Sequence, residues 1–390
     1  MGSPACERAI EDALSHGHAL LKFISPNDVG LTGSHQRGYY LPKAVWTYFS
    51  PNPPEKGKNS EHFVTILWQD GHETHSRVIW YGKRTRSEYR LTRFGKDFPF
   101  LISDNVGNLL VLIRTGDATF YAYVLDSDAD IEELKAALGV ELIGSWALYN
   151  VMKPPEAETA EACIDRLFRT YSATLEDFPS TAWFSERARN ALFECVDNIV
   201  HTKLDNQLMQ FLHSEYALFR LVERRLCQSE INRLFQSIDD FLQTAGRIMN
   251  RRKSRAGRSL ENHVEFILRS SGIPFDMRPL VDGRPDILIP GKREYEDPSY
   301  PRNLLFVIGV KTTCKDRWRQ VLNEARGVFH KHILTIQHGI SINQLNEMNR
   351  SNVSLIVPSP LHKEYPSTSD IEIMSLEDFV HLAESRLPRR

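Results

Sequence analysis

Cysteine is scarce: the 390 residues contain five, Cys6, Cys163, Cys195, Cys227 and Cys314. An odd number with no Cys-x-x-Cys pair argues against a disulfide framework and a zinc site, and for a reducing compartment. No stretch approaches the ~20 apolar residues that a membrane helix needs, and residues 1–19 lack the apolar core of a secretory signal. The expectation is a soluble, cytoplasmic protein with no membrane partner. Neither sign of charge dominates, since 48 Lys and Arg face 50 Asp and Glu for a formal net charge of -2. Any attraction to nucleic acid therefore has to be local. With 41% hydrophobic and 25% charged residues and no internal repeat, wholesale disorder, a collagen-like chain and a coiled-coil rod are excluded. The length suggests two or three domains.

Short β-rich runs at 62–69, 77–81, 109–114 and 119–125, broken by turn residues, predict a small barrel or sandwich. The stretch K-P-P-E-A-E-T-A-E at 153–161 has few groups fit for a core and reads as a linker. From 185 to about 249, apolar residues recur at three- and four-residue spacing and predict helices. Beyond them, strands at 286–289, 304–311, 333–337 and 353–357 interleave with helices at 315–330, 341–350 and 375–385. That alternation implies an α/β sheet covered on both faces.

Pro285 and Asp286 open one short apolar strand, and Lys311 ends another. An acid and a lysine at the ends of neighbouring strands meet at one sheet edge. This is the spacing of PD-(D/E)XK nucleases, in which two carboxylates hold Mg²⁺ against the scissile phosphate and the lysine supports the attacking water. The usual second acid lies two residues before the lysine, where this chain has Gly309. A replacement is available at Glu324, on the helix expected to follow. Taken alone, the triplet also fits a solvated glutamate and a strand-end lysine.

The run V-K-T-T-C-K-D-R-W-R-Q at 310–320, followed by N-E-A at 323–325, resembles the catalytic segment of the EcoRII family of restriction endonucleases. N-R-R-K-S-R-A-G-R-S-L-E at 250–261 resembles the helix start before that family's active site. Residues 25–42, with L-T-R-F-G at 91–95, resemble its N-terminal effector domain. The resemblance implies a multidomain chain: an all-β B3-like pseudobarrel at 1–155, a linker at 156–175, and an α/β PD-(D/E)XK domain with dimerisation helices at 176–390. It implies Asp286 and Glu324 as Mg²⁺ ligands, Lys311 as the group acting on water, and Glu261 as an accessory acid. The products would carry 5′-phosphate and 3′-hydroxyl ends.

Lys315, Asp316 and Arg317 follow Lys311 closely and suit C·G pairs, since Arg or Lys fits guanine O6 and N7 and Asp accepts from cytosine N4. The resemblance implies a CC/GG half-site for each protomer of a homodimer, hence a CCWGG-type target in double-stranded DNA. The cluster Arg251, Arg252, Lys253 and Arg255, with no acid beside it, reads either as a solvated helix terminus or as phosphate contacts. Residues 77–96 hold seven basic side chains against the single acid Glu88. By position in the family's effector domain, the contacts there are Asn27, His35, Tyr40, Arg84, Arg86, Glu88 and Arg90. A cognate methyltransferase belongs to the expected system. The rival readings are a nuclease for another CC-N-GG core, a non-catalytic DNA-binding regulator, and a structure-specific repair nuclease.

Overall fold

A computed structural model describes residues 2–32, 37–49, 55–83, 88–150, 161–367 and 373–387. Its contacts divide the chain into two compact units, one comprising 1–154 with 337–346 and 363–370, the other comprising 155–336, 347–362 and 371–390.

The first unit is built on an eight-stranded sheet. Its strands are β1 (His18–Phe23), β2 (Tyr39–Leu41), β3 (Ser60–Trp68), β4 (Glu73–Tyr81), β5 (Glu88–Thr92), β6 (Leu109–Arg114), β7 (Thr119–Leu125) and β8 (Trp146–Asn150). The spatial order is β2-β5-β4-β3-β7-β6-β1-β8, with β3 and β7 parallel and the other pairs antiparallel. Strand β6 reads L-L-V-L-I before Arg114 because both of its faces are buried. Leu110 and Leu112 enter a core with Leu20, Tyr39, Trp68 and Trp80, whereas Leu109, Val111 and Ile113 enter another with Ile131 and Leu134. That second core is closed by helices α1 (Pro4–His16) and α3 (Asp128–Leu138), while α2 (Trp46–Phe49) is a single turn. The expectation of an all-β domain is thus corrected. Helix α1 buries only the small residues Cys6, Ala9 and Ala13, which offer no bulky apolar signal in the sequence.

The second unit begins with helices α4 (Glu161–Ala173), α5 (Thr181–Cys195), α6 (Leu204–Asn232) and α7 (Ile238–Ser270). They share a core of Phe168, Phe184, Ala191, Leu218, Phe219 and Val222. Most of the stretch read as a linker at 156–175 is therefore helix α4, whose Ile164, Leu167, Phe168 and Tyr171 form one apolar face. A disulfide joins Cys163 to Cys195, with Cα atoms 5.8 Å apart. It departs from the expectation that the cysteines stay unpaired, because helices packed side by side bring together positions 32 apart in the chain. Cys6, Cys227 and Cys314 are buried and lie outside this disulfide. The segment 250–261, read as a helix start, lies within α7.

The α/β part carries a six-stranded sheet of β9 (Asp276–Met277), β10 (Ile287–Ile289), β11 (Phe306–Lys311), β12 (Lys331–Thr335), β13 (Val353–Ile356) and β14 (Ile373–Met374). Strands β9, β10 and β11 pair antiparallel, and β11 to β14 run parallel. Helices α8 (Lys292–Glu296) and α10 (Leu376–Arg386) belong to this unit, and α9 (Ile342–Arg350) is divided between the two units. The helix expected over 315–330 does not form. In its place stand a 3₁₀ turn at Trp318–Asn323 and irregular chain leading to β12. Trp318, Val321, Ala325 and Val328 are all buried at helical spacing, yet Ala325 sits at φ 42, which no α-helix accommodates. Tertiary contacts override the periodic signal.

Candidate active site

The antiparallel β10–β11 pair sets Ile287 opposite Ile308, so the start of β10 and the end of β11 share one sheet edge. Asp286 and Lys311 meet there. The Asp286 Oδ2 accepts from the Lys311 Nζ at 2.5 Å and from the Val310 N–H at 2.8 Å. Gly309 leaves that face of the strand to Val321, whose side chain lies 3.5 Å from where a Cβ would be.

Glu324 reaches the same edge from extended chain just after the 3₁₀ turn, which corrects its expected place on a helix. Its carboxyl is pushed up to about 7, first by burial and then by the negative charge of Asp286, against the pull of Lys311 and Lys331. Its Oε2 is buried without a hydrogen-bond partner. Lys331 donates from Nζ to the carbonyls of Glu324 and Ala325, each at 2.6 Å, and burial brings its ammonium down to about 8. Two carboxylates at one edge, one with an unpartnered oxygen, could serve a hard divalent cation, which takes oxygen ligands and tolerates as few as one or two protein carboxylates. Among the described residues no cluster of three or more His, Cys, Asp or Glu side chains offers a fuller cage.

Sequence reasoning missed several residues here. Asp282, Gly283 and Tyr295 hold the chain around Glu324, as detailed below. Arg278, at φ 46, donates its backbone N–H to the Asp286 carbonyl at 2.8 Å and ion-pairs through its guanidinium with Glu261. Glu261, expected as an accessory acid, is thus beside the site but neutralised by this arginine. No residue spacing signals a partner that lies 17 positions away across a helix end and a strand.

The basic cluster on α7, read either as a helix terminus or as phosphate contacts, finds partners within the helix bundle. Arg252 pairs with Glu223 at 2.7 Å and Arg255 with the fully buried Glu215 at 3.4 Å. Arg251 lies over the Phe178 ring at 3.9 Å and reaches the Cys227 Sγ. Lys253, half-buried, is also engaged. The acids absent from the local sequence are supplied by α6. In the segment after Lys311, Lys315 is buried and engaged, Asp316 is exposed and Arg317 is half-buried. The three do not form one exposed reading face.

In the first unit the β2–β5 register sets Tyr40 opposite Arg90. Arg90 is buried and pairs with Glu88 at 3.4 Å, so these three predicted contacts do come together. Asn27 accepts from the Thr32 hydroxyl at 3.1 Å. His35, Arg84 and Arg86 lie outside the described residues. Among the described residues no helix is long and apolar enough to cross a membrane.

Both halves of the chain are similar to known proteins. The family description "EcoRII C terminal" matches residues 219–380, and "Restriction endonuclease EcoRII, N-terminal" matches 14–150. The type II restriction enzyme EcoRII of Escherichia coli is 33% identical over 392 aligned residues, covering 95% of each chain. The type II restriction enzyme SsoII of Shigella sonnei is 26% identical over 145 residues, covering 34% of this chain and 46% of that one. A solved structure of metal-depleted Ecl18kI in complex with uncleaved, modified DNA aligns with a TM-score of 0.45 at 16% identity, covering 59% of this chain and 85% of that one. With one position in three shared along nearly the whole of both chains, and both halves matched separately, the protein belongs to the EcoRII family and is a type II site-specific deoxyribonuclease.

Proposed function

We propose that the chain is a Mg²⁺-dependent endonuclease that cuts both strands of double-stranded DNA at CCWGG-type sites, leaving 5′-phosphate and 3′-hydroxyl ends. The observation that carries this reading is the convergence of Asp286, Lys311 and Glu324 at one sheet edge, with a Glu324 oxygen buried and unpartnered. Asp286 and Glu324 are the residues to hold Mg²⁺, which when bound supplies Lewis acidity for in-line hydrolysis. Lys311 orients the attacking water and offsets the charge that builds on the phosphorane. Asp286 in turn fixes Lys311 through their 2.5 Å contact. Exposed Asp316 and half-buried Arg317 are assigned to the C·G pairs, the acid accepting from cytosine and the guanidinium donating to guanine.

A palindromic target calls for a two-fold protein, so the active form is a homodimer through the catalytic unit. This is supported by Ile231, Leu234, Ile238, Phe241 and Leu242, which leave an apolar patch exposed where α6 ends and α7 begins. The first unit serves as a B3-like effector domain that binds a second copy of the site and restrains cutting until it does, with Tyr40, Glu88 and Arg90 on its DNA-facing side. The enzyme acts in the cytoplasm, where a cognate methyltransferase protects host sites.

The test is incubation of the full chain with Mg²⁺ and plasmids carrying no, one or two CCWGG sites. Discrete fragments, faster from two sites than from one and accelerated by added site-bearing oligonucleotide, are expected. Glu324→Ala should abolish cutting while retaining cognate duplex binding in Ca²⁺, since most affinity comes from phosphate and base contacts elsewhere. Fragments mapping to another CC-N-GG core would reassign the site. Binding without cleavage by the wild type would mean a regulator, and junction-dependent cutting a repair nuclease.

A further inference from the structure

Asp286 and Lys311 are placed by a hydrogen-bonded strand pair, but Glu324 sits on chain with neither ladder nor helix of its own, at φ -94 and ψ 133. A catalytic carboxylate must be held to within about 0.5 Å of its working position. What fixes this one therefore has to come from neighbouring chain, and the hydrogen bonds around it are dense.

The Ala325 N–H donates to the Asp282 carbonyl and the Arg326 N–H to the Asp282 Oδ2, both at 2.7 Å. The Gly327 N–H donates to the Tyr295 hydroxyl at 3.2 Å, and that hydroxyl donates to the Asp282 Oδ1 at 2.5 Å. Three successive amides just past Glu324 are thus captured by one aspartate and one tyrosine. The Tyr295 hydrogen bond keeps the Asp282 carboxyl below its usual range, so the acceptor stays charged. Gly283 completes the arrangement: at φ +71, a Cβ there would lie 2.1 Å from the Asn323 carbonyl oxygen and 2.6 Å from the Glu324 Cα. Only glycine lets the Asp282 turn press this close against the acid-bearing chain. From the opposite side Lys331 takes the Glu324 and Ala325 carbonyls.

We propose that Asp282 and Tyr295 form a positioning clamp that sets the Glu324 carboxylate against Asp286 for a shared divalent cation. Neither touches the reacting atoms. The clamp replaces the strand register that positions the second acid when it lies two residues before the lysine, a place held here by Gly309. The inference rests on the metal-binding role assigned above to Glu324.

Mn²⁺ binding to the full chain, followed by electron paramagnetic resonance of the free ion, tests it alongside thermal unfolding of the same samples. Asp282→Asn and Tyr295→Phe should each weaken Mn²⁺ binding ~10–100-fold, the usual effect of removing a partner that orients a ligand. Adding Asp282→Asn to Glu324→Gln should cost nothing further, because the clamp acts only through Glu324. Wild-type Mn²⁺ affinity in both clamp variants, with loss in Glu324→Gln, would overturn the clamp and spare the metal assignment. Equal loss from Asp282→Asn with and without the Glu324 carboxylate would make Asp282 a general prop and also overturn it. Undiminished binding in Glu324→Gln would remove the metal assignment, and the clamp with it.

Discussion

Replacing Arg255 by alanine decides whether the basic stretch of α7 serves the helix bundle or the DNA. Arg255 is 5% exposed, and its guanidinium lies 3.4 Å from the Oε1 of Glu215, which has no exposure at all. The same carboxylate accepts from the Ser185 hydroxyl at 2.6 Å and faces the His263 Nε2 at 3.0 Å. Burial alone would raise the Glu215 carboxyl, but His263, Arg255 and Ser185 together hold it below the usual range, so it is charged and depends on its partners. Removing one member of a buried pair costs ~3–5 kcal/mol, because the other is left uncompensated. Ser185 and His263 remain in this case, which points to the lower end, ~3 kcal/mol. At ~2–4 °C per kcal/mol for a unit of this size, the melting temperature should fall by ~6–12 °C. Calorimetric unfolding gives the first quantity, and DNA affinity measured across salt concentrations gives the control. A phosphate contact would lower the slope of log affinity against log salt by ~0.9. An unchanged melting temperature with a shallower salt slope would refute the bundle role and restore the reading of Arg255 as a DNA contact.

Two further outcomes follow from buried groups in the α/β unit. His332 is buried between Phe306 and Phe379, and burial lowers its pKa from 6.5 to about 3. The unfolded chain therefore takes up a proton that the folded one refuses, and stability falls as pH drops through the window from 6.5 towards 3, by ~1.4 kcal/mol per pH unit once well below 6.5. Urea unfolding at pH 7 and pH 5.5 should show His332→Leu losing ~1 kcal/mol less than wild type on acidification; an equal loss would rule out this histidine as a source. Gly283→Ala forces the Asn323 and Glu324 backbone to move. It should cost ~1–3 kcal/mol in unfolding measurements and sharply reduce Mg²⁺-dependent cleavage, whereas wild-type cutting rates would mean the acid tolerates displacement.

The sheet edge was legible because Asp286 and Lys311 are delivered by strands, whose apolar runs and ends show in sequence; β6 and β7 appear at their predicted bounds. The arrival of Glu324 was also foreseen, yet by the wrong route. Trp318, Val321, Ala325 and Val328 imitate a helix period, and nothing local discloses that Asp282 and Lys331 hold the segment in another shape. The partners of the α7 arginines were hidden for a related reason: charge in a sequence window says nothing of acids such as Glu215 and Glu223 that another helix brings alongside. Helices α1 and α4 were lost, one to small buried side chains and the other to the Pro- and Glu-rich stretch preceding it. Information about partners distant in the chain is what periodicity lacks.

Helix α7 has one more consequence. It runs unbroken for 33 residues, with Ile238, Phe241 and Leu242 exposed at its start and Glu261, beside Asp286 through Arg278, towards its end. At 1.5 Å per residue, roughly 35 Å of rigid rod separates Ile238 from Glu261. With a second copy docked at the apolar end, that rod is a ruler. In the homodimer proposed above, helix length would then help set the distance between the two candidate sites. One inserted turn, ~5.4 Å, already exceeds the ~3.4 Å step between neighbouring base pairs.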